Sequence, residues 1–154
     1  MITPIVPPLL VLPGQSDYQA HYRATFIGQS HFTHDHIRVK FHPETFSHAF
    51  FESTDRRNPS KDQFSVTRAE RMPWILHALG DSQAQMLAGW LSAERCYSHD
   101  RRVTLLSGRY AVVLRLEKTP NTASFVTAYP LDPPSQGKIS ESPLWDRAQC
   151  RWGP

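Results

Sequence analysis

Residues 102–116, RVTLLSGRYAVVLRL, constrain this chain more than any other stretch. Two runs rich in aliphatic and β-branched residues, RVTLL and YAVVLRL, are separated only by Ser107–Gly108–Arg109. A connection this short, containing the glycine a tight turn needs, joins antiparallel neighbours and leaves no room for a crossover helix. After the turn signal TPNT, the run ASFVTAY adds a further strand, and QMLAGWL supplies one upstream. The carboxy-terminal half therefore reads as a four-stranded antiparallel meander.

Upstream of the meander the hydrophobic period is mixed. AHYRATFIG and HIRVKF, within 20–41, alternate like two strands; in the second, Ile37, Val39 and Phe41 alternate with His36, Arg38 and Lys40. PETFSHAFFES (43–53) predicts a helix with Pro43 at its first position and a buried stripe of Phe46, Ala49 and Phe50. DRRNPSKD then reads as a loop. TRAERMPWILHAL (67–79) predicts a second helix with the stripe Met72, Ile75, Leu76 and Leu79, stopped by Gly80. Thr67 and Glu70 form a capping-box pattern there, but that start buries Pro73 inside the helix at a cost of about 3 kcal/mol. Either the helix kinks at Pro73, or it begins there with Arg68 and Arg71 on the approach. The predicted fold is α+β: amino-terminal helices on one face of a four-stranded antiparallel sheet, with an extra amino-terminal strand pair.

The chain's 154 residues suit one compact domain. Forty per cent hydrophobic and 20% charged residues make a globular composition. No apolar run approaches the roughly 18 residues of a membrane span, so no membrane partner is expected. MITPIVPPLLVLPG is apolar but lacks a basic segment and is broken by prolines, so it is a poor signal peptide. The cytoplasm is the expected compartment, although a dedicated export route into another cell would leave no such mark. Prolines crowd both ends, which are expected to be extended or coil-like, with Trp145 and Trp152 available to anchor the tail. Cys96 and Cys150 are too few for a disulfide framework and read as free thiols. A net charge of +3 with a pI near 9.1 permits a polyanionic partner without requiring one.

Polar residues on strand and helix faces are the candidates for chemistry. Alternation puts Thr127 and Tyr129 on one face of the last strand, together with Phe125. Tyr129 fits a boundary tyrosine with a wet hydroxyl as well as a site residue. His48 lies off the Phe46–Phe50 stripe, four residues before Glu52, whose carboxylate would favour the imidazolium. Arg68 and Arg71, at i and i+3, suit a phosphate or a solvated face paired with Glu70. Arg102 and Arg115 lie in neighbouring strands. His31, His34, His36 and His42 crowd into twelve residues and are candidate zinc ligands, but exposed strand and loop histidines fit equally. HExxH, CxxC, GxSxG, P-loop and GxGxxG patterns are all missing, so neither a metal nor an organic cofactor is expected.

SHAFFES, then FSVTRAERMPWI, then RRVTLLSGRYAVVLRL, then SFVTAYP, in that order, resemble the phage-associated branch of the barnase–EndoU–colicin–RelE group of metal-independent ribonucleases. The resemblance covers residues 42–131. It leaves 1–41 as an amino-terminal extension and 132–154 as a proline-rich tail. It implies helices before a four-stranded antiparallel sheet with the site in the cleft between them, and an endoribonuclease that leaves a 2′,3′-cyclic phosphate. The residues it points to are His48, Arg68, Thr127 and Tyr129 as catalytic, with Arg71 and Arg102 adding substrate-binding charge. The implied partners are RNA (tRNA or mRNA) and a protein antitoxin or immunity factor. The expected geometry is that Thr127 and Tyr129 face the helices carrying His48 and Arg68.

Overall fold

The computed structural model describes residues 6–53, 63–91 and 95–152; the expected loop DRRNPSKD, residues 55–62, lies outside them. Segment 6–12 has no regular structure, as its prolines require, but it is tied to the body. The Trp74 indole N–H donates to the Pro7 carbonyl at 2.8 Å, and the Leu10 amide donates to the Glu70 carbonyl at 2.7 Å.

A helix, α1 (Gln15–Phe26), follows where AHYRATFIG predicts a strand. Ala20, Tyr22, Ala24 and Phe26 do alternate with polar residues. Tyr18, Tyr22 and Phe26 also recur every fourth residue, and that period prevails because a helix buries all three rings on one side. Tyr22 touches the rings of Phe26, Phe41, Phe46 and Phe50, at centroid distances of 5.3 to 6.4 Å. The Tyr18 hydroxyl accepts from the Leu12 amide and donates to the Leu10 carbonyl, so the same helix also holds the proline segment.

HIRVKF contributes only β2 (Arg38–Lys40), paired antiparallel with β1 (His31–Phe32). The helix expected over 43–53 is shorter. Pro43 opens a 3-10 turn, α2 (Phe46–Ala49) adds one α-turn, and the chain then extends into β3 (Phe51–Glu52). Phe46, Ala49 and Phe50 are buried as expected. The helix stops because Phe51 pairs across β3 with Phe64 of β4 (Gln63–Phe64), their rings 5.6 Å apart.

The expected 67–79 helix divides into α3 (Val66–Ala69) and α4 (Met72–Leu79). Ser65, not Thr67, caps the first piece: its hydroxyl accepts from the Arg68 amide at 3.2 Å. Pro73 falls in the first turn of α4, where its missing N–H costs nothing, and Gly80 ends the helix. Met72, Ile75 and Leu79 are buried, while Leu76 is half-buried.

The meander forms where expected, as β5 (Gln85–Leu91), β6 (Cys96–Ser107), β7 (Tyr110–Leu116) and β8 (Thr122–Pro130). Gly108, at φ 59°, makes the β6–β7 turn. The sheet is larger than four strands. Its order is β1-β2-β8-β7-β6-β5, with β2 parallel to β8 and every other pair antiparallel; β3 and β4 form a separate hairpin. The protein is thus a mixed α+β fold around a large, mostly antiparallel sheet.

One face of the sheet carries the main core, into which α1 to α4 pack. That core takes residues from Tyr18 to Cys150, so the amino-terminal and carboxy-terminal segments both contribute to it. The other face bears a smaller apolar group, Leu87, Leu106, Ala111 and Leu131, against which Ile139 of α5 (Pro133–Ser140) packs. This helix corrects the expectation of a coil-like end: its two leading prolines occupy the first turn, the one helical place that tolerates them. It also puts a helix on the face expected to be bare. Trp145 and Trp152 anchor the tail, donating their indole N–H groups to the His99 and Glu117 carbonyls at 2.8 and 2.6 Å. Cys96 is exposed, Cys150 is buried, and both are free thiols. Among the described residues no helix is long and apolar enough to cross a membrane.

Tyr22 offers a direct check on the corrected helix. Tyr22→Ala should cost about 3–5 kcal/mol in urea unfolding, as for other large aromatic truncations. Tyr22→Phe loses only the hydrogen bond to the His42 carbonyl, 2.8 Å long, and should cost about 1 kcal/mol.

Candidate functional site

The pattern of β8 decides where the site lies. Val113 pairs with Thr127, but the next residue, Leu114, pairs with Phe125, so Val126 is an extra residue in a β-bulge. Strict alternation would place Phe125, Thr127 and Tyr129 on one face. The bulge separates them: Phe125 enters the main core, while Thr127 and Tyr129 point to the opposite face. Across β6, β7 and β8 that outer face then reads in three rows. Arg102, Arg115 and Ser124 form the first, Thr104, Val113 and Thr127 the second, and Leu106, Ala111 and Tyr129 the third.

Arg68 joins this face from the helical side. β2 accompanies β8 only over Thr122–Ser124, and beyond that point α2 and α3 flank the β8 edge. The Arg68 Nη1 donates to Thr127 Oγ1 at 3.3 Å and to the Ala49 carbonyl at 3.4 Å. The guanidinium carbon lies 5.2 Å from the Tyr129 ring centroid, a cation–π distance. Glu52 Oε1 approaches Arg68 Nε to 3.4 Å, an ion pair that lacks hydrogen-bond geometry, so this buried N–H has no hydrogen-bond partner. Arg68, Thr127 and Tyr129 are therefore brought together, but Thr127 and Tyr129 lie on the face opposite the helical core and do not face it as the resemblance implies. They meet around the edge of the sheet, not in the cleft between the helices and the core face.

His48 sits beside this group. It is exposed and lines a cavity of about 300 Å³ with Glu44, Arg102, Arg115 and Val126. Tyr129 lines an adjoining cavity of about 200 Å³ with Thr104, Val113 and Gly89, and Arg102 lines both. Glu52 is not on the His48 helix face as the i+4 spacing implies. α2 ends at Ala49, which leaves Glu52 on β3 beside Arg68.

Arg71 is not part of the group. Its Nη1 donates to the Thr67 carbonyl at 2.7 Å and to Glu70 Oε1 at 3.0 Å, and its guanidinium lies over Trp74. The amino-terminal histidines are dispersed. His31 packs between Phe26 and Phe41, and His42 Nε2 lies 3.3 Å from Ser124 Oγ. Among the described residues no three His, Cys, Asp or Glu side chains converge as metal ligands.

Burial raises the Tyr129 phenol above its usual range, and the Arg68 charge opposes part of that rise. At neutral pH the phenol is a proton donor. The arrangement thus sets a partly buried cation, a hydroxyl and a neutral phenol beside an exposed imidazole and two exposed guanidiniums. Arg115 gained its place only through strand register, and Glu52 through the early end of α2. For both, the sequence signal was a charge on an otherwise apolar run.

No protein-family model, no curated protein and no solved structure significantly matches this chain.

Two measurements probe this geometry. A Cβ on Gly89 would lie 2.5 Å from the Arg102 Cβ and 2.9 Å from its carbonyl oxygen. Gly89→Ala should therefore cost about 1–3 kcal/mol in chemical unfolding. The second concerns pH. A phenol with a raised folded pKa gives stability that is complete below the unfolded value of about 10 and is lost as pH rises through the folded value. Removing the opposing cation in Arg68→Gln should push the Tyr129 titration higher still. The phenolate absorbance of Arg68→Gln minus that of Arg68→Gln/Tyr129→Phe isolates it.

Proposed function

We propose that this chain is a metal-independent endoribonuclease that cleaves RNA by attack of the 2′-hydroxyl on the adjacent phosphate. The observation that carries the reading is the Arg68 guanidinium held by Thr127 at 3.3 Å and over the Tyr129 ring at 5.2 Å, on a face lined by His48, Arg102 and Arg115. On this reading β5 to β8 with α2 to α4 correspond to the four-stranded sheet and helices of the barnase–EndoU–colicin–RelE group, and β1, β2 and α1 are additions.

Cleaving RNA without a metal requires a base, cations on the phosphorane and an acid. His48 takes the proton of the 2′-hydroxyl, the role of general base that imidazole fills most often. The 2′-oxygen bonds to phosphorus and the bond to the 5′-oxygen breaks. Arg68 stabilises the charge that develops on the non-bridging oxygens, and Thr127 orients that guanidinium. Tyr129, kept protonated by burial, donates to the leaving 5′-oxygen. The products are a 2′,3′-cyclic phosphate and a 5′-hydroxyl. An RNA target such as tRNA or mRNA, a protein antitoxin or immunity partner, and a role in phage–host conflict belong to the same reading.

A second reading is nucleic-acid binding without cleavage. It draws on the Arg68 contacts to Glu52, Ala49 and Thr127, which already occupy part of that guanidinium, and on the separate cavities of His48 and Tyr129. Total RNA incubated in EDTA separates the two. Wild type should cut, leaving cyclic phosphate ends, and His48→Ala, Arg68→Ala and Tyr129→Phe should each be slower by about 10²–10⁴-fold. RNA that is bound with steep salt dependence but left intact by wild type overturns the enzyme reading. Undiminished cutting by His48→Ala removes the base assignment alone.

A further inference from the structure

Arg102 and Arg115 stand directly opposite each other on β6 and β7. Like charges in that position repel, since opposed Cβ atoms lie about 4.5–5.5 Å apart. Some cations near the sheet are paired, Lys40 with Glu117 at 3.4 Å and Arg71 with Glu70 at 3.0 Å, while others, such as Arg38 and Arg109, have no ion pair among the described residues. Among the described residues neither Arg102 nor Arg115 has an ion-pair partner. Glu44 lines the same cavity without closing onto either. Two opposed guanidiniums at one open cavity leave a place for an anion with several acceptor oxygens, and a phosphate fits that geometry.

The position of this cavity says what carries the phosphate. On β7, Arg115 and Val113 are two residues apart, and Val113 is the direct partner of Thr127. The arginine row therefore lies about 6.7 Å along the strand from the row where Arg68 and Thr127 meet. That step is within reach of neighbouring phosphates on one extended strand.

We infer that Arg102 and Arg115 form a second phosphate subsite, and that the ligand is a single-stranded polynucleotide with at least two consecutive phosphates lying across the rows of the outer face. This inference rests on the nucleic-acid reading above but not on cleavage. Arg68, Thr127 and Tyr129 take one phosphate, and the opposed arginines take its neighbour.

A short oligothymidylate, which lacks the 2′-hydroxyl and is not cut, tests the subsite by its binding at several salt concentrations. Arg102→Gln/Arg115→Gln should bind several-fold more weakly, and its log–log salt slope should be smaller by about 0.7, one phosphate of a single strand. Lys118→Gln/Lys138→Gln removes the same net charge elsewhere and should leave the slope unchanged. Equal slopes for the arginine variant and wild type overturn the subsite, as does an equal loss in the lysine control. Pyrophosphate displacing the oligonucleotide at equal phosphate concentration would make this a free-anion site and overturn the polynucleotide assignment. Both arginines are exposed, so the fold should tolerate the change; Arg115→Gln alone repeats the test should the double variant unfold. The outcomes separate from those for cleavage. Intact RNA with a reduced slope removes the enzyme and keeps the subsite, and cut RNA with an unchanged slope does the reverse.

Discussion

One extra residue in β8 governs both the core and the surface of this protein. Val126 bulges out of the ladder between the pairs Val113–Thr127 and Leu114–Phe125. Before the bulge, Phe125 stacks on Phe41 at 4.9 Å and faces Phe50 at 6.5 Å, which fixes the strand to the aromatic core. After it, Ala128 faces that core while Thr127 and Tyr129 face outward. A slip of one residue in a strand exchanges its two faces. Without the bulge, either Phe125 or the Thr127–Tyr129 pair would be on the wrong side.

The aromatic cluster behind β8 is what makes that placement rigid. Tyr22 on α1, Phe41 after β2, Phe46 and Phe50 around α2, and Phe125 on β8 come from four separate stretches of chain and meet edge to face, tilted or stacked. Such contacts need particular ring geometries. They hold the short α2 turn against the β8 edge although four residues could not sustain a helix alone. The Ala49 carbonyl and His48 owe their positions to that packing.

Charge organises the outer surface. Arg68 is mostly buried, and a guanidinium removed from water requires partners; Glu52, Thr127, the Ala49 carbonyl and the Tyr129 ring supply them. Burial at the same place raises the Tyr129 phenol, and the Arg68 charge opposes part of that rise. Farther along the face, Arg102 and Arg115 remain in water, where repulsion between them is weaker but unrelieved. The outer face thus runs from a satisfied, partly buried cation to an unsatisfied, exposed pair, and α5 covers the apolar end beyond Tyr129.

Much of this was legible in the sequence where neighbours along the chain decide the outcome. The β6–β7 hairpin follows from Gly108, the stop of α4 from Gly80, and the buried stripe around α2 from the spacing of Phe46, Ala49 and Phe50, whereas the start of α4 was one of two alternatives that Pro73 left open. The grouping of Arg68 with Thr127 and Tyr129 was suggested only by the resemblance to the ribonuclease group, since residue type alone left them as boundary or surface residues. Other features depended on contacts distant in sequence. Residues 20–27 satisfy a strand period and a helix period at once, and only the aromatic cluster chooses the helix. The parallel β2–β8 pairing, the early end of α2 that moves Glu52 to Arg68, and the bulge at Val126 carry no local signal, since each is a compromise among packed neighbours. The sequence by itself determined the meander and the residue types of the site. Tertiary structure decided which face of the sheet they occupy, because a one-residue shift in register is invisible in a pattern of period two until the partner strand and the core behind it are in place.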